Sequence, residues 1–222
     1  MSTYLVKVGG AVADASAAVI LDLVTKSHKV CVVHGAGPQI TLEMERAGIP
    51  VEFIEGRRVT SPEGLALVRA SLQRVNAALC DAIGERAVGL FGDEIGLHAK
   101  RVPTLGLVGN AVPTRPAAVV EALDAGKIPV VAPLAEGPLN VNADEAAAAL
   151  AIGIDADELL FLTDVDGLLV DGRVVDTIGV DDASELLAGG TLQGGIIPKL
   201  GAAVTAARGG VPASIGRTAV AR

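Results

Sequence analysis

Hydrophobic and polar positions follow two alternating rhythms along the chain. Short runs that are apolar on both sides of a strand, such as "VCVVH" (30–34), "IPVVAP" (128–133) and "ELLFLT" (158–163), are separated by longer Ala-rich stretches with helical spacing. A strand without polar alternation is buried on both faces, the mark of a mostly parallel sheet covered by helices. The pattern predicts strands at 4–8, 29–33, 87–91, 128–132, 158–163 and 212–215. Helices are predicted at 14–26, 38–47, 62–83, 115–125, 143–152 and 199–208. Their alternation places the chain in the α/β class.

Two stretches break the rhythm. Residues 97–115 carry the Gly, Pro and Asn punctuation of a hairpin excursion, and residues 166–177 set Asp171-Gly172 between two apolar runs. The second is a strong hairpin signal. No internal repeat or low-complexity linker interrupts the sequence; "LAEGPLN" (134–140) is the best seam between two lobes.

Composition narrows the possible functions. With 222 residues, half of them apolar and 20% charged, the chain supports one substantial core and reads as globular. Aromatic residues make up only 2%, so Val, Leu, Ile and Ala must build that core, and stacking platforms for single-stranded nucleic acid are not expected. The net charge is −8, and no run of Lys or Arg exceeds two residues, which argues against nucleic-acid and anionic-membrane partners. Cys31 and Cys80 sit in apolar settings and read as buried thiols of a reducing compartment. No signal peptide and no apolar run near the roughly 18 residues of a membrane span is present, so the cytoplasm is expected.

Candidate chemistry gathers where predicted strands hand over to helices, the edge at which open α/β sheets bind ligands. Lys7 lies inside an apolar strand and is followed by Val8, Gly9 and Gly10. It is either a snorkelling lysine or a cation aimed at a ligand whose oxygens approach the glycines. The turn His34-Gly35-Ala36-Gly37 suits an anion cradle, although Ile40 stands where a dinucleotide fingerprint needs glycine. Arg57 and Arg58 are adjacent, and one of them is a plausible anchor for a substrate carboxylate.

Further along, Asn140, Asn142 and Asp144 converge beside an Ala-rich helix, where capping by Asn142 or Asp144 explains only one of the three. Lys199 follows Pro198 at a helix opening, a place the helix dipole disfavours for a cation unless an anion is bound there too. The stretch 162–167 ends a strand and enters the second hairpin, as a nucleotide-binding loop does.

In this order, "KVGG", "VHGAGPQI", "GRRVT", "NVNADEAA", "LTDVDGLL" and "GGIIPKLGA" resemble the amino acid kinase family over nearly the whole chain, from Leu5 to about Arg217. The resemblance implies a three-layer αβα sandwich of the carbamate kinase-like type, formed by a single domain over 1–222. An N-terminal lobe of about 1–134 would bind the acceptor and dimerise, and a C-terminal lobe of about 135–222 would bind nucleotide. Within the family the motifs are most similar to the branch that uses ATP to phosphorylate the side-chain carboxylate of N-acetyl-L-glutamate, the second step of arginine biosynthesis. Mg²⁺ would be held mainly by the nucleotide phosphates, with no separate protein metal site. The assembly implied is a cytoplasmic homodimer.

Residue by residue, the resemblance makes Lys7 and Lys199 the two transition-state lysines and Asp144 the acid that orients them. Gly35, Ala36, Gly37, Arg58 and Asn140 match acceptor-binding positions. Gly9, Gly10, Asp164, Val165, Asp166, Gly167, Leu168, Leu169, Gln193 and Gly194 match nucleotide-binding positions. The acceptor carboxylate is already ionised, so such a reaction needs charge neutralisation rather than a general base.

Three departures qualify the match. Ala36 replaces a usual third glycine, which would cost about 1 kcal/mol or more if that position required a positive φ. The chain stops soon after "SIGRTAVAR", where relatives carry a further segment ending in a last strand. Only three residues precede the first predicted strand, too few for the N-terminal helix of arginine-inhibited hexameric relatives, so an arginine-insensitive homodimer is expected. The rival readings are a kinase for acetylaminoadipate or for carrier-linked aminoadipate or glutamate, and a catalytically weak regulatory paralogue.

Overall fold

The computed structural model describes the backbone of residues 1–9, 13–163, 165–170 and 172–222, and the side chains of all these except 13–15. In chain order the N-terminal half runs β1 (Thr3–Val8), α1 (Ala13–Thr25), β2 (Lys29–His34), α2 (Gly37–Arg46), β3 (Phe53–Ile54), β4 (Arg57–Arg58), α3 (Pro62–Ile83), β5 (Ala87–Phe91), β6 (Ala99–Arg101), β7 (Val108–Ala111) and α4 (Ala117–Asp124). It continues with β8 (Ile128–Ala132), β9 (Leu134–Ala135), β10 (Leu139–Val141), α5 (Ala143–Gly153), β11 (Glu158–Leu162), β12 (Leu169–Val170) and β13 (Arg173–Val174). The chain closes with β14 (Thr177–Gly179), α6 (Val180–Ala188), α7 (Ile196–Arg208), β15 (Ala213–Ile215) and β16 (Thr218–Ala221).

The apolar runs form an eight-stranded sheet ordered β14-β16-β15-β11-β1-β2-β8-β5. Every pairing in it is parallel except β15 with β16. Side chains alternate across it. Leu5, Cys31, Val33, Leu159 and Phe161 pack under the α4, α5, α6 and α7 layer. Val6, Val8, Val30, Val32 and Val130 pack against α1, α2 and α3. The expected α/β sandwich with a mostly parallel sheet is therefore the fold observed.

Both expected hairpins are present. β6 pairs antiparallel with β7, and β12 with β13. Gly172 takes a φ of 75°, which glycine tolerates, while Asp171 lies outside the described residues. The segment 134–140 supplies β9 and β10 of a second, four-stranded sheet. Among the described residues, no helix is long and apolar enough to cross a membrane.

Helix α7 starts at Ile196, three residues before its expected first residue. Pro198 is compatible with this because the first turn of a helix has no intrahelical partner for its N–H groups. The final described strand, β16, pairs antiparallel with β15 and parallel with β14.

Candidate active site

Period-two alternation puts Lys7 on the same face as Leu5, beneath α5. Lys7 is only 6% exposed, and a buried ammonium needs a counter-charge. α5 provides it. The side chain of Asn142 caps this helix, accepting from the N–H groups of Asp144 (2.8 Å) and Glu145 (3.2 Å). Capping therefore falls to Asn142, and the carboxylate of Asp144 is left for the cations. Its Oδ1 lies 2.8 Å from Lys7 Nζ and its Oδ2 4.0 Å from Lys199 Nζ. Lys199 also donates to the carbonyl of Gly195 at the start of α7, at 3.3 Å. Alanines line the buried faces of both helices, Ala147 and Ala151 on α5, Ala203 and Ala206 on α7, and let the two pack together. That packing brings their first turns within reach of one another.

Lys7 faces a cavity of about 260 Å³, which residues 35–37, Arg58 and Asn140 also line. This is below the roughly 300–1,000 Å³ of drug-sized pockets and suits a small metabolite. Ala36 is the N-terminal residue flanking α2, with φ −143°, so its methyl group meets no left-handed strain. No side chain caps α2, and its first turn opens on the cavity. Asn140 donates to Thr60 Oγ1 at 3.1 Å, which fixes its amide in the wall.

The two arginines of β4 divide sharply. Arg57 is ion-paired with Glu145 (2.9 Å) and Glu55 (3.8 Å). Burial raises the pKa of Glu145, and the Arg57 charge opposes that shift. Arg58 is 6% exposed, and its contacts among the described residues are neutral. It donates to Thr41 Oγ1 (2.8 Å), to the Gly37 carbonyl (3.1 Å) and to Met44 Sδ (3.6 Å), and its guanidinium carbon stands 4.5 Å from the Phe53 ring centre. Among the described residues no carboxylate pairs with it. Burial lowers its pKa.

A second cavity, of about 820 Å³, is lined by residues 165–169, Gln193 and Lys199, the last of these being the lysine 4.0 Å from Asp144. Its loop is braced from β16. Thr218 Oγ1 accepts from the Leu168 N–H (2.8 Å) and donates to the Val175 carbonyl (2.6 Å), and the Arg217 N–H donates to the Asp166 carbonyl (2.7 Å). Gly194 lines a neighbouring cleft shared with Arg57 and Glu145. Gly9 directly follows β1 and lines neither cavity, whereas Gly10 and Asp164 lie outside the described residues.

The profile described as "Amino acid kinase family" matches residues 2–217. The chain belongs to the amino acid kinase family. An acetylglutamate kinase from Rubrobacter xylanophilus is 42% identical over 224 residues, covering 97% of this chain and 88% of that protein. Other acetylglutamate kinases, 40% and 43% identical, are longer, and this chain spans 65% of each. The crystal structure of smu.665 from Streptococcus mutans UA159 superposes with a TM-score of 0.86 at 28% identity, covering 99% of this chain and 98% of that one. A carbamate kinase from Giardia lamblia shares the fold at 15% identity, with a TM-score of 0.71 over 99% of this chain and 98% of that one.

In this amino acid kinase, His34 of the glycine turn points away from the cavities. It is fully buried on the α3 face, where Asn76 donates to its Nε2 (3.0 Å) and to the Val130 carbonyl (2.8 Å). Burial lowers its pKa to about 4, so it is a neutral element of the core. Sequence reasoning missed Thr41 and Thr218. A single threonine on a helix or strand carries no chemical signal until its partner is located.

Proposed function

We propose that the chain is an acetylglutamate kinase, moving the γ-phosphoryl group of ATP onto the side-chain carboxylate of N-acetyl-L-glutamate to give N-acetyl-L-glutamyl 5-phosphate in arginine biosynthesis. One observation carries the reading: a single buried carboxylate, Asp144, is bound to a lysine facing a small cavity and lies near a lysine facing a nucleotide-sized one. The smaller cavity takes the acceptor. Arg58 anchors one carboxylate, and Asn140 and residues 35–37 hold the rest. The larger cavity takes ATP, with Mg²⁺ carried on its phosphates and supplying further positive charge.

The reacting carboxylate attacks phosphorus in line, and no side chain needs to remove a proton. Lys7 approaches the transferring group from the acceptor side and Lys199 from the nucleotide side. Asp144 keeps both ammonium groups oriented without cancelling their combined charge. Preorganised donors of this kind act where charge spreads over the phosphoryl oxygens. The N-terminal lobe (about 1–134) would bind acceptor and dimerise, the C-terminal lobe (about 135–222) would bind nucleotide, and the enzyme would work in the cytoplasm as a homodimer. The unpaired thiols of Cys31 and Cys80 suit that compartment.

The test is trapping of the acyl phosphate. Purified protein, Mg-ATP and one acid at a time are incubated with hydroxylamine, and hydroxamate is measured. N-acetyl-L-glutamate is expected to give product, and glutamate and N-acetylaminoadipate little or none. Product only from aminoadipate-type acids would move the enzyme to lysine biosynthesis, and nucleotide binding without any hydroxamate would replace the kinase with a regulatory protein.

A further inference from the structure

Arg58 is buried and cationic, yet every described group that holds it is neutral: a hydroxyl, a peptide carbonyl, a thioether and an aromatic face. Buried cations ordinarily find carboxylates, because desolvation without a counter-charge is costly. Acids are close at hand, since Arg57, one residue earlier, engages both Glu55 of the hairpin turn and Glu145 of α5. The shortest of the Arg58 contacts is to Thr41, on the second turn of α2. Thr41 does not line the acceptor cavity, so it reaches the ligand only through Arg58.

We infer that Thr41 is a positioning residue whose neutrality matters as much as its hydrogen bond: it fixes the Arg58 guanidinium while leaving the full positive charge to the acceptor's carboxylate. This rests on the proposal that an anionic acceptor occupies the smaller cavity. A carboxylate at position 41 would hold Arg58 at least as firmly and would spend its charge internally. A neutral side chain of the same shape would hold it and leave the charge free. Thr41 thus belongs to specificity for anionic acceptors although it touches none.

The isosteric pair Thr41→Asn and Thr41→Asp separates this from a role in merely tying β4 to α2. KM and kcat are measured for N-acetyl-L-glutamate and for ATP, with Tm as a control. Thr41→Asp is expected to raise the acceptor KM about tenfold or more relative to Thr41→Asn, the scale of one weakened charge-assisted hydrogen bond. Tm should be equal or higher, and the KM for ATP should be little moved. Thr41→Val should raise the acceptor KM severalfold, and Thr41→Ser should restore it. Equal acceptor KM values in the Asn and Asp variants would overturn the inference. If the Asp variant does not fold, a wild-type acceptor KM in Thr41→Val overturns it instead. A wild-type protein that forms no hydroxamate from N-acetyl-L-glutamate would defeat the functional proposal, whereas an active enzyme indifferent to residue 41 would defeat only this inference.

Discussion

Lys7 is a cation inside the central strand of a sheet, and its ion pair with Asp144 is what makes that position tolerable. Removing the ammonium takes away one preorganised donor. Lys7→Ala is therefore expected to lower kcat by about 10²–10³, measured as steady-state ADP release. Asp144→Asn should lower kcat as well, because two lysines lose their shared counter-charge; a change confined to the KM for ATP would refute its orienting role. These residues were legible in the sequence because each is anomalous where it stands: a lysine in an apolar strand, a lysine at a helix start, an acid beside a ready-made cap. The residues alone left Arg57 and Arg58 open and the resemblance pointed to Arg58; the physical difference between them needed the fold, since it lies in which acids surround them. Thr41 was illegible for the same reason, as its importance depends on a guanidinium 17 residues away in the chain.

At the level of elements, α5 concentrates the design. Its cap fixes the first turn, which carries Asp144, and its alanine face allows the close approach of α7. Asn142→Ala is expected to lower unfolding free energy by about 1 kcal/mol, read from urea denaturation, with Asn142→Asp largely retaining it. An unchanged denaturation midpoint in the alanine variant would show that the cap is redundant. The long elements were readable because strand and helix periods repeat several times within them. Outside the two hairpins, the short strands β3, β4, β9, β10 and β14 were harder, since so few residues display no period and are fixed by distant partners. Helix α6 went unmarked between β14 and α7.

At the scale of the whole molecule, the eight-stranded sheet carries a polar tie between β2, α3 and β8 through His34 and Asn76. That tie gives acid sensitivity of definite sign. In the folded protein His34 protonates only near pH 4, but in the unfolded chain it does so near its ordinary 6.5. Its contribution is therefore fully present above pH 6.5 and is lost as pH falls toward 4, by on the order of 3 kcal/mol. His34→Gln, which keeps an acceptor for Asn76, should flatten the fall in urea midpoint between pH 6.5 and 4. An identical fall in the variant would place the sensitivity elsewhere.

Asp144 joins parts of the chain that are far apart in sequence. Its partners come from β1, the first strand, and α7, the last helix, while β1 itself lies between β2 and the late strand β11. Neither half of the protein holds all three of Lys7, Asp144 and Lys199, and the N-terminal half alone leaves β1 unpaired on one side. A crossover at the middle of the chain would have to match the first strand and the last helix to the same carboxylate at once, so the two halves are not interchangeable cassettes.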